Sequence, residues 1–151
     1  MFTCAVKAPA IKVGGTGAKT YYFDDLTFVT GTGTKQMLIR VVGPSLAALG
    51  ITGFLPNPNL TVFNSAGVST LTNDNWGTPA SDVATVSAAI NSLGAFPFPG
   101  TNSLDAAMVA TFEGGRTAQV SGPTAGTMIV EAYDAADGNT VRLTNISALN
   151  S

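Results

Sequence analysis

Carboxylates are the residues best able to do chemistry in this chain, which has nine Asp and Glu and no histidine. Without histidine there is no Ser-His-Asp or Cys-His nucleophile system and no imidazole metal ligand. Glycoside hydrolysis needs two positioned carboxylates, but most of these acids lie in predicted turns. Glu131 instead alternates with Val130 and Ala132 on a predicted strand. We therefore expect Glu131 to form a buried structural ion pair with Arg40 or Arg142, and we predict no enzyme activity.

Carboxylate and amide oxygens also offer a weak candidate calcium site. Calcium prefers such oxygen ligands, and the candidates are Asn73, Asp74, Asn75, Asp134 and Asp137. Their spacing does not match an EF-hand loop, and Asx side chains commonly bind their own backbone in turns. Calcium binding therefore stays an alternative, and the sequence predicts no cofactor.

Aromatic side chains suggest a second alternative, a stacking platform for carbohydrate. The candidates are Trp76, Tyr21, Tyr22, Phe96 and Phe98. Side chains of this kind more often close the end of a hydrophobic core. Carbohydrate therefore remains an alternative partner beside the main interpretation below.

Composition excludes further classes of protein. Charged residues make up 11% of the 151 residues, against about 25% in an ordinary domain. Seven basic residues scattered through an acidic chain argue against nucleic-acid binding, and no apolar stretch is long enough for a membrane span. The single cysteine, Cys4, excludes a disulfide within the chain and is expected to be a buried thiol. The length and the 45% of hydrophobic residues predict one globular domain.

Apolar and polar residues alternate along most of the segments that position the candidate side chains. This alternation predicts about nine short strands, which together favour an all-β antiparallel sandwich or jelly roll. Residues 36–42 are apolar on both faces except at Arg40, so they are expected to form a central strand. The predicted strands cover residues 4–13 (interrupted by Pro9), 19–29, 36–42, 60–63, 68–72, 105–112, 116–121, 127–133 and 140–148.

One short helix is predicted to cover one end of the sandwich. Thr78 can cap it, Pro79 suits its first position and Gly94 ends it. Its apolar face consists of Val83, Val86, Ile90 and Leu93. A single helical turn is also predicted around residues 46–50.

Five segments, in this order, resemble a known family. They are residues 35–46 (KQMLIRVVGPSL), 72–76 (TNDNW), 105–110 (DAAMVA), 117–122 (TAQVSG) and 129–134 (IVEAYD). Together they are similar to a repeated β-sandwich domain of long secreted and surface-associated bacterial proteins. That domain is distantly like the jelly-roll modules appended to secreted peptidases. The resemblance covers about residues 11–148 and implies an extracellular, non-catalytic module.

The chain departs from tandem members of that family at its ends. Residues 1–13 form an extra extended arm before the single sandwich domain of residues 14–151. A lone module therefore has a strand at each end, which predicts head-to-tail assembly by strand exchange or edge pairing. Residues 36–42 or 140–148 are the predicted acceptor. The predicted interface residues are Cys4, Val6, Ala8, Ile11, Val13, Val141, Leu143 and Ile146.

These patterns favour a structural subunit of an extracellular filament or surface assembly whose partners are copies of itself. Residues 1–7 lack the basic and apolar regions of a signal peptide, so we interpret the chain as a mature form or an excerpt located outside the cell or at its surface. The alternative is a monomeric extracellular module that binds carbohydrate or calcium. The low charge predicts subunit contacts with few salt bridges.

Overall fold

The structure is a computed structural model that describes residues 5–7, 19–29, 33–135 and 142–145, with side chains for residues 33–135. Six strands and one helix make up the framework. A six-residue 3-10 helix, Pro44–Leu49, follows the first strand and confirms the predicted helical turn. The elements are β1 (Lys35–Val42), β2 (Asn59–Asn64), β3 (Ser69–Asn73), α1 (Val83–Ser92), β4 (Ala106–Phe112), β5 (Arg116–Gly122) and β6 (Ile129–Asp134).

The six strands form two packed antiparallel sheets of three strands each. One sheet has the order β6-β1-β4 and the other β3-β2-β5. This arrangement confirms the predicted β-sandwich and the central place of residues 36–42. The predicted total of about nine strands is not confirmed, and the finer assignment to a jelly roll stays a prediction.

Three further segments are described by their backbone. Ala5–Lys7 pairs with β6, Lys19–Val29 pairs with β5, and Arg142–Asn145 pairs with Lys19–Val29. Val6 and Leu143 of the predicted interface belong to these segments. The other predicted interface residues lie outside the described residues: Cys4, Ala8, Ile11, Val13, Val141 and Ile146.

One predicted acceptor edge is corrected by the pairing of β1. Residues 36–42 hydrogen-bond to β4 on one side and to β6 on the other. A strand that is paired on both sides has no free main-chain groups to offer a new strand. Residues 36–42 form a central strand with a partner on each side. They therefore cannot accept the N-terminal arm as an additional strand.

The main core lies between the two sheets. Met37, Ile39 and Val41 alternate along β1 and point toward the second sheet, where the core includes Leu60 and Val120. All five side chains are almost completely buried. The period-2 pattern of the sequence thus identifies the inner face of the sandwich correctly.

The outer face of the β6-β1-β4 sheet is covered as well. Leu38 and Val42, the alternate residues of β1, pack with Val86 and Ile90 of α1. The helix was predicted to close one end of the sandwich, and this was wrong, because it lies over a sheet face. The fold therefore has three layers here, the helix and the two sheets. β1 lies in the middle layer and is buried on both of its faces.

The start of the helix also differs from the prediction. Asp82 occupies the N-cap position and Val83 is the first helical residue. The main-chain N–H of Asp82 donates to the carbonyl of Pro79, at 3.0 Å, in a separate turn before the helix. Pro79 begins this turn and Thr78 stands directly before it, so the cap-and-proline pattern of the sequence marks the start of the turn, four residues before the helix begins at Val83.

We expect Leu60→Ala to lower the free energy of unfolding by about 2–5 kcal/mol, because it opens a cavity between the sheets. Leu60 is fully buried. The matched control is Leu71→Ala on the adjacent strand β3, where the side chain is 40% exposed and the expected loss is below about 1 kcal/mol. Urea denaturation followed by circular dichroism measures both variants. Equal losses for the two would contradict the assignment of the inner face.

Candidate functional site

The guanidinium of Arg40 is buried in the outer face of the β6-β1-β4 sheet. Arg40 lies opposite Glu131 in the antiparallel pairing of β1 with β6, and both side chains are at most 1% exposed. The Arg40 Nε atom is 3.1 Å from Glu131 Oε2. This buried ion pair confirms the predicted structural role of Glu131 and identifies Arg40 as its partner.

The loop after helix α1 encloses the same guanidinium. Arg40 Nη1 donates a 2.8 Å hydrogen bond to the carbonyl oxygen of Phe96. The rings of Phe96 and Phe98 lie 4.5 and 4.4 Å from Arg40 Cζ, within cation–π range. Trp76 extends the aromatic group, with its ring centroid 5.2 Å from that of Phe98. The cation is thus held by a carboxylate, a carbonyl and two rings.

Part of the Arg40–Glu131 pair lacks hydrogen-bond partners among the described residues. These buried atoms are Nε and Nη2 of Arg40 and Oε2 of Glu131. The close Nε–Oε2 approach is therefore an electrostatic contact without hydrogen-bond alignment. A buried ion pair with incomplete hydrogen bonding contributes little net stability, although removing one partner is costly.

Electrostatics at this cluster shift two pKa values. Burial lowers the pKa of Arg40, and the neighbouring Glu131, Tyr133 and Asp105 partly oppose that shift. Burial, followed by the charge and hydrogen bond of Glu131, raises the pKa of Tyr133 to about 12, while Arg40 acts in the opposite direction. Tyr133 therefore stays a neutral phenol well above its ordinary titration range.

A second cluster is organised by the carboxylate of Asp105, directly before β4. Its Oδ1 accepts hydrogen bonds from the main-chain N–H groups of Gly43, at 2.7 Å, and Ser45, at 3.2 Å. Its Oδ2 accepts from the Ser45 hydroxyl, at 2.5 Å, and from the Ser103 hydroxyl. Asp105 is fully buried. Four donors therefore occupy this carboxylate and fix the turn between β1 and the 3-10 helix.

Close packing explains the glycine of that turn. A Cβ atom on Gly43 would lie 2.2 Å from the carbonyl oxygen of Leu55. Contacts this short between non-bonded atoms do not occur without a backbone shift. Glycine at this position therefore lets the chain approach Leu55 closely.

Asn73 and Trp76 connect the same region to the edge of the second sheet. Asn73 Oδ1 accepts from the main-chain N–H of Ala107 at 3.0 Å, and its Nδ2 donates to the carbonyls of Thr78 and Asn75. The main-chain N–H of Trp76 donates to the carbonyl of Asp105 at 2.8 Å. Asn73 and the Trp76 backbone thus join the end of β3 to the start of β4.

The family-like segments of the sequence meet in these contacts. The segment with Gly43 meets the one with Asp105, the segment with Asn73 meets the one with Ala107, and Arg40 meets Glu131. Every one of these contacts is buried or partly buried and joins one part of the framework to another. The arrangement holds the turns and the outer cover in place, which is a structural role.

The weak calcium candidates are engaged elsewhere or separated. The amide of Asn73 is used in the bonds described above, and Asp74 Oδ2 accepts from Asn75 Nδ2 at 3.1 Å. Asp134 lies at the end of β6 and forms an ion pair with Lys35, with a 2.5 Å Nζ–Oδ2 distance. Asp137 lies outside the described residues. Within the described stretches, no group of three or more Asp, Glu or Cys side chains is placed to hold a metal ion.

The aromatic candidates do not form an exposed platform in the described part. Trp76 and Phe98 are 6% and 8% exposed, and the Trp76 Nε1 donates to the carbonyl of Gly100 at 3.0 Å. Phe96 is partly buried against Arg40. These rings belong to the outer core cluster, and the side chains of Tyr21 and Tyr22 lie outside the description.

Sequence reasoning missed the role of Asp105, and it named Phe96 and Phe98 without finding their contact with Arg40. The role of Asp105 could have been found from an acid directly before an apolar strand, combined with the unpaired N–H groups that a Gly-Pro-Ser turn leaves. The enclosure of Arg40 by Phe96 and Phe98 left no such signal, because those aromatic residues are 56 and 58 positions away along the chain. Only the tertiary fold brings them together.

Comparison with known proteins adds no identification. No protein family, no curated protein and no solved structure matches the chain. The chain is a small sandwich of two antiparallel three-stranded sheets, and no family is identified for it. In the described residues, no helix has the length and apolar character needed to cross a membrane.

Removing one partner of the buried ion pair is expected to be costly. Arg40→Met should lower the free energy of unfolding by about 3–5 kcal/mol, because Glu131 is left as an uncompensated buried charge. The double variant Arg40→Met/Glu131→Leu should recover most of that loss, since neither charge remains. Urea denaturation of the single and double variants measures this coupling. A double variant no more stable than Arg40→Met would contradict the pairing.

Tyr133 is expected to make the protein lose stability between about pH 10 and pH 12. Its pKa is raised in the folded state, so its contribution is complete below the ordinary tyrosine value and is lost as the pH approaches 12. Urea denaturation at several alkaline pH values should show this decrease, and Tyr133→Phe should flatten it. An unchanged slope in Tyr133→Phe would refute the assignment.

Proposed function

We propose that the protein is a structural subunit of an extracellular filament or surface assembly, in which each copy passes its N-terminal strand to the next copy. One observation carries the proposal. The backbone of Ala5–Lys7 pairs antiparallel with β6 in the register Ala5↔Tyr133, Val6↔Ala132 and Lys7↔Glu131. The outer edge of β6 thus has the geometry to receive this strand.

Main-chain pairing makes the same contact suitable for exchange between copies. A strand added to a sheet edge is held by backbone hydrogen bonds, which are identical whether the strand comes from the same chain or from a neighbour. Exchange of an identical element is a low-cost route to association. When each copy gives its strand to the next and receives one from the previous copy, the contact is heterologous, and it continues into a filament when the rotation between copies does not close a ring.

The length of the connection supports exchange. Residues 8–18 separate Ala5–Lys7 from Lys19–Val29. Eleven residues span at most about 36–40 Å when fully extended, which exceeds the width of several strands in a sheet. The length of this connection therefore does not by itself confine the strand to its own copy.

The chemistry of the described residues supports a structural role in preference to catalysis. The carboxylate of Asp105 is occupied by four hydrogen-bond donors, and Glu131 is paired with Arg40. A catalytic acid or base must instead be able to reach its substrate. Only 11% of the residues are charged. This low charge suits contacts between copies, because few charges would need desolvation. An extracellular location is part of the same proposal.

The alternative function is a monomeric extracellular module that binds carbohydrate or calcium. The buried positions of Trp76 and Phe98 and the backbone bonds of Asn73 give no support for it in the described part of the chain. We therefore retain strand exchange as the proposal.

Mixing two cysteine variants tests exchange directly. Val6→Cys and Ala132→Cys are prepared as separate proteins in a Cys4→Ser background, then mixed, allowed to assemble and oxidised. Cross-strand partners lie about 4.5–5.5 Å apart, within disulfide range. We expect a covalent dimer containing one copy of each variant on non-reducing gels, and filaments of the unmodified chain in negative-stain micrographs.

Two controls make the result decisive. Val6→Cys mixed with Leu71→Cys, whose side chain lies on β3 of the other sheet, should give no dimer. The chain carrying both Val6→Cys and Ala132→Cys shows whether the N-terminal strand pairs with β6 of its own copy. If that chain closes a disulfide within itself while the mixture gives no dimer, the strand pairs within its own copy and the proposal is wrong.

A further inference from the structure

The outer edge of β4 has no strand partner among the described residues. In the sheet order β6-β1-β4, β4 is the last strand, and among the described residues no strand pairs with its far side. Its seven residues, AAMVATF, include neither a charged residue nor proline. Proteins usually protect such edges with charge, proline or a bulge, so this strand is unusually ready to pair.

The register with β1 identifies which main-chain groups point outward. The N–H of Ala107 donates to the side chain of Asn73 and so points away from β1. Because hydrogen-bonding direction alternates along an antiparallel strand, the N–H and C=O groups of Val109 and Thr111 point the same way. The N–H of Ala107 is already occupied, so within the described part of the chain Val109 and Thr111 are the residues of β4 whose outward N–H and C=O groups are both available for pairing.

We propose that two copies of this chain pair through their β4 edges, antiparallel, about a two-fold axis at Ala110. In this register Val109 of each copy lies opposite Thr111 of the other. The two pairs of residues exchange four main-chain hydrogen bonds, and the two β6-β1-β4 sheets become one continuous sheet.

The occupied N–H of Ala107 selects this register. A two-fold axis at Val109 would place Thr111 of one copy opposite Ala107 of the other, where the N–H is already donated to Asn73. The Thr111 carbonyl would then lose its partner, and an unsatisfied buried polar group costs about 1–3 kcal/mol. With the axis at Ala110, Ala107 lies opposite Glu113, which is beyond the end of the strand.

The absence of charge in β4 favours a second copy as the partner. A two-fold contact brings the same surface of both copies together, so a charge in the strand would lie near its own counterpart and repel it. The sequence AAMVATF has no such charge. A longer strand from another protein would extend past Val109 and lie opposite Ala107. Its carbonyl group there would remain unpaired, because the Ala107 N–H already donates to Asn73.

This contact is independent of the proposed exchange. The N-terminal strand pairs with β6 at one edge of the sheet, and the two-fold contact uses the opposite edge. Exchange would join copies along a filament, and β4 pairing would join copies side by side. Each can fail without the other.

A cysteine on the proposed axis tests the register. In the full chain with Cys4→Ser, Ala110→Cys places each thiol next to its own counterpart, about 4.5 Å apart between Cα atoms, so oxidation should give a disulfide-linked dimer. Val109→Cys is the matched control, because its partner is Thr111, and it should give little dimer. If Ala110→Cys gives no dimer although a small thiol reagent modifies it, the proposal is wrong.

A proline on the open edge tests the main-chain bonds. Thr111→Pro removes an N–H that points away from β1, so the fold should persist, while cross-linking of Ala110→Cys should be lost. Thr111→Ala keeps the N–H and should retain cross-linking. Circular dichroism checks folding of both variants. Persistent cross-linking of the folded Thr111→Pro variant would overturn the proposal.

Discussion

Burial of the Arg40 charge is the constraint on which the outer half of this structure depends. A cation inside a sheet face is expensive unless it is paired and surrounded by polar or aromatic groups. Here Glu131 comes from the neighbouring strand, while Phe96 and Phe98 come from the loop after α1. The ion pair thereby ties together β1, β6 and the layer that covers them. The net stability from such a pair is small, although removing one partner is costly.

The carboxylate of Asp105 plays the complementary part at the end of the same sheet. It binds the N–H groups of Gly43 and Ser45, which would otherwise be unpaired at the start of a 3-10 helix. Arg40 and Asp105 both belong to segments that gave the chain its family resemblance. The same residues also make the long-range polar contacts of the fold. These segments therefore build the structural framework of this chain.

The sequence predicted much of the framework but little of what covers it. Alternation identified the inner-facing residues Met37, Ile39 and Val41, and the apolar outer face of β1 correctly marked a central strand. The partner of Glu131 could be narrowed to two arginines because a buried carboxylate needs a cation. The helix position could not be derived, since an amphipathic helix fits either an end or a face. The contacts of Phe96, Phe98 and Asp105 depend on chain reversals that no local pattern encodes.

The hydrogen bond from Trp76 to Asp105 has a consequence for how this fold can vary. It brings together the two ends of a 28-residue excursion, residues 77–104, which carries α1 and the aromatic loop. The excursion leaves the sandwich and returns to it at the same point, so its length can change with only a small change in closure entropy. Within it, α1 packs on Leu38 and Val42 and the loop after α1 encloses Arg40, so both are constrained by the sheet beneath them. The exposed residues 78–82, ahead of α1, are therefore a place in this excursion where insertions or grafted sequences can be accommodated while the two sheets keep their register.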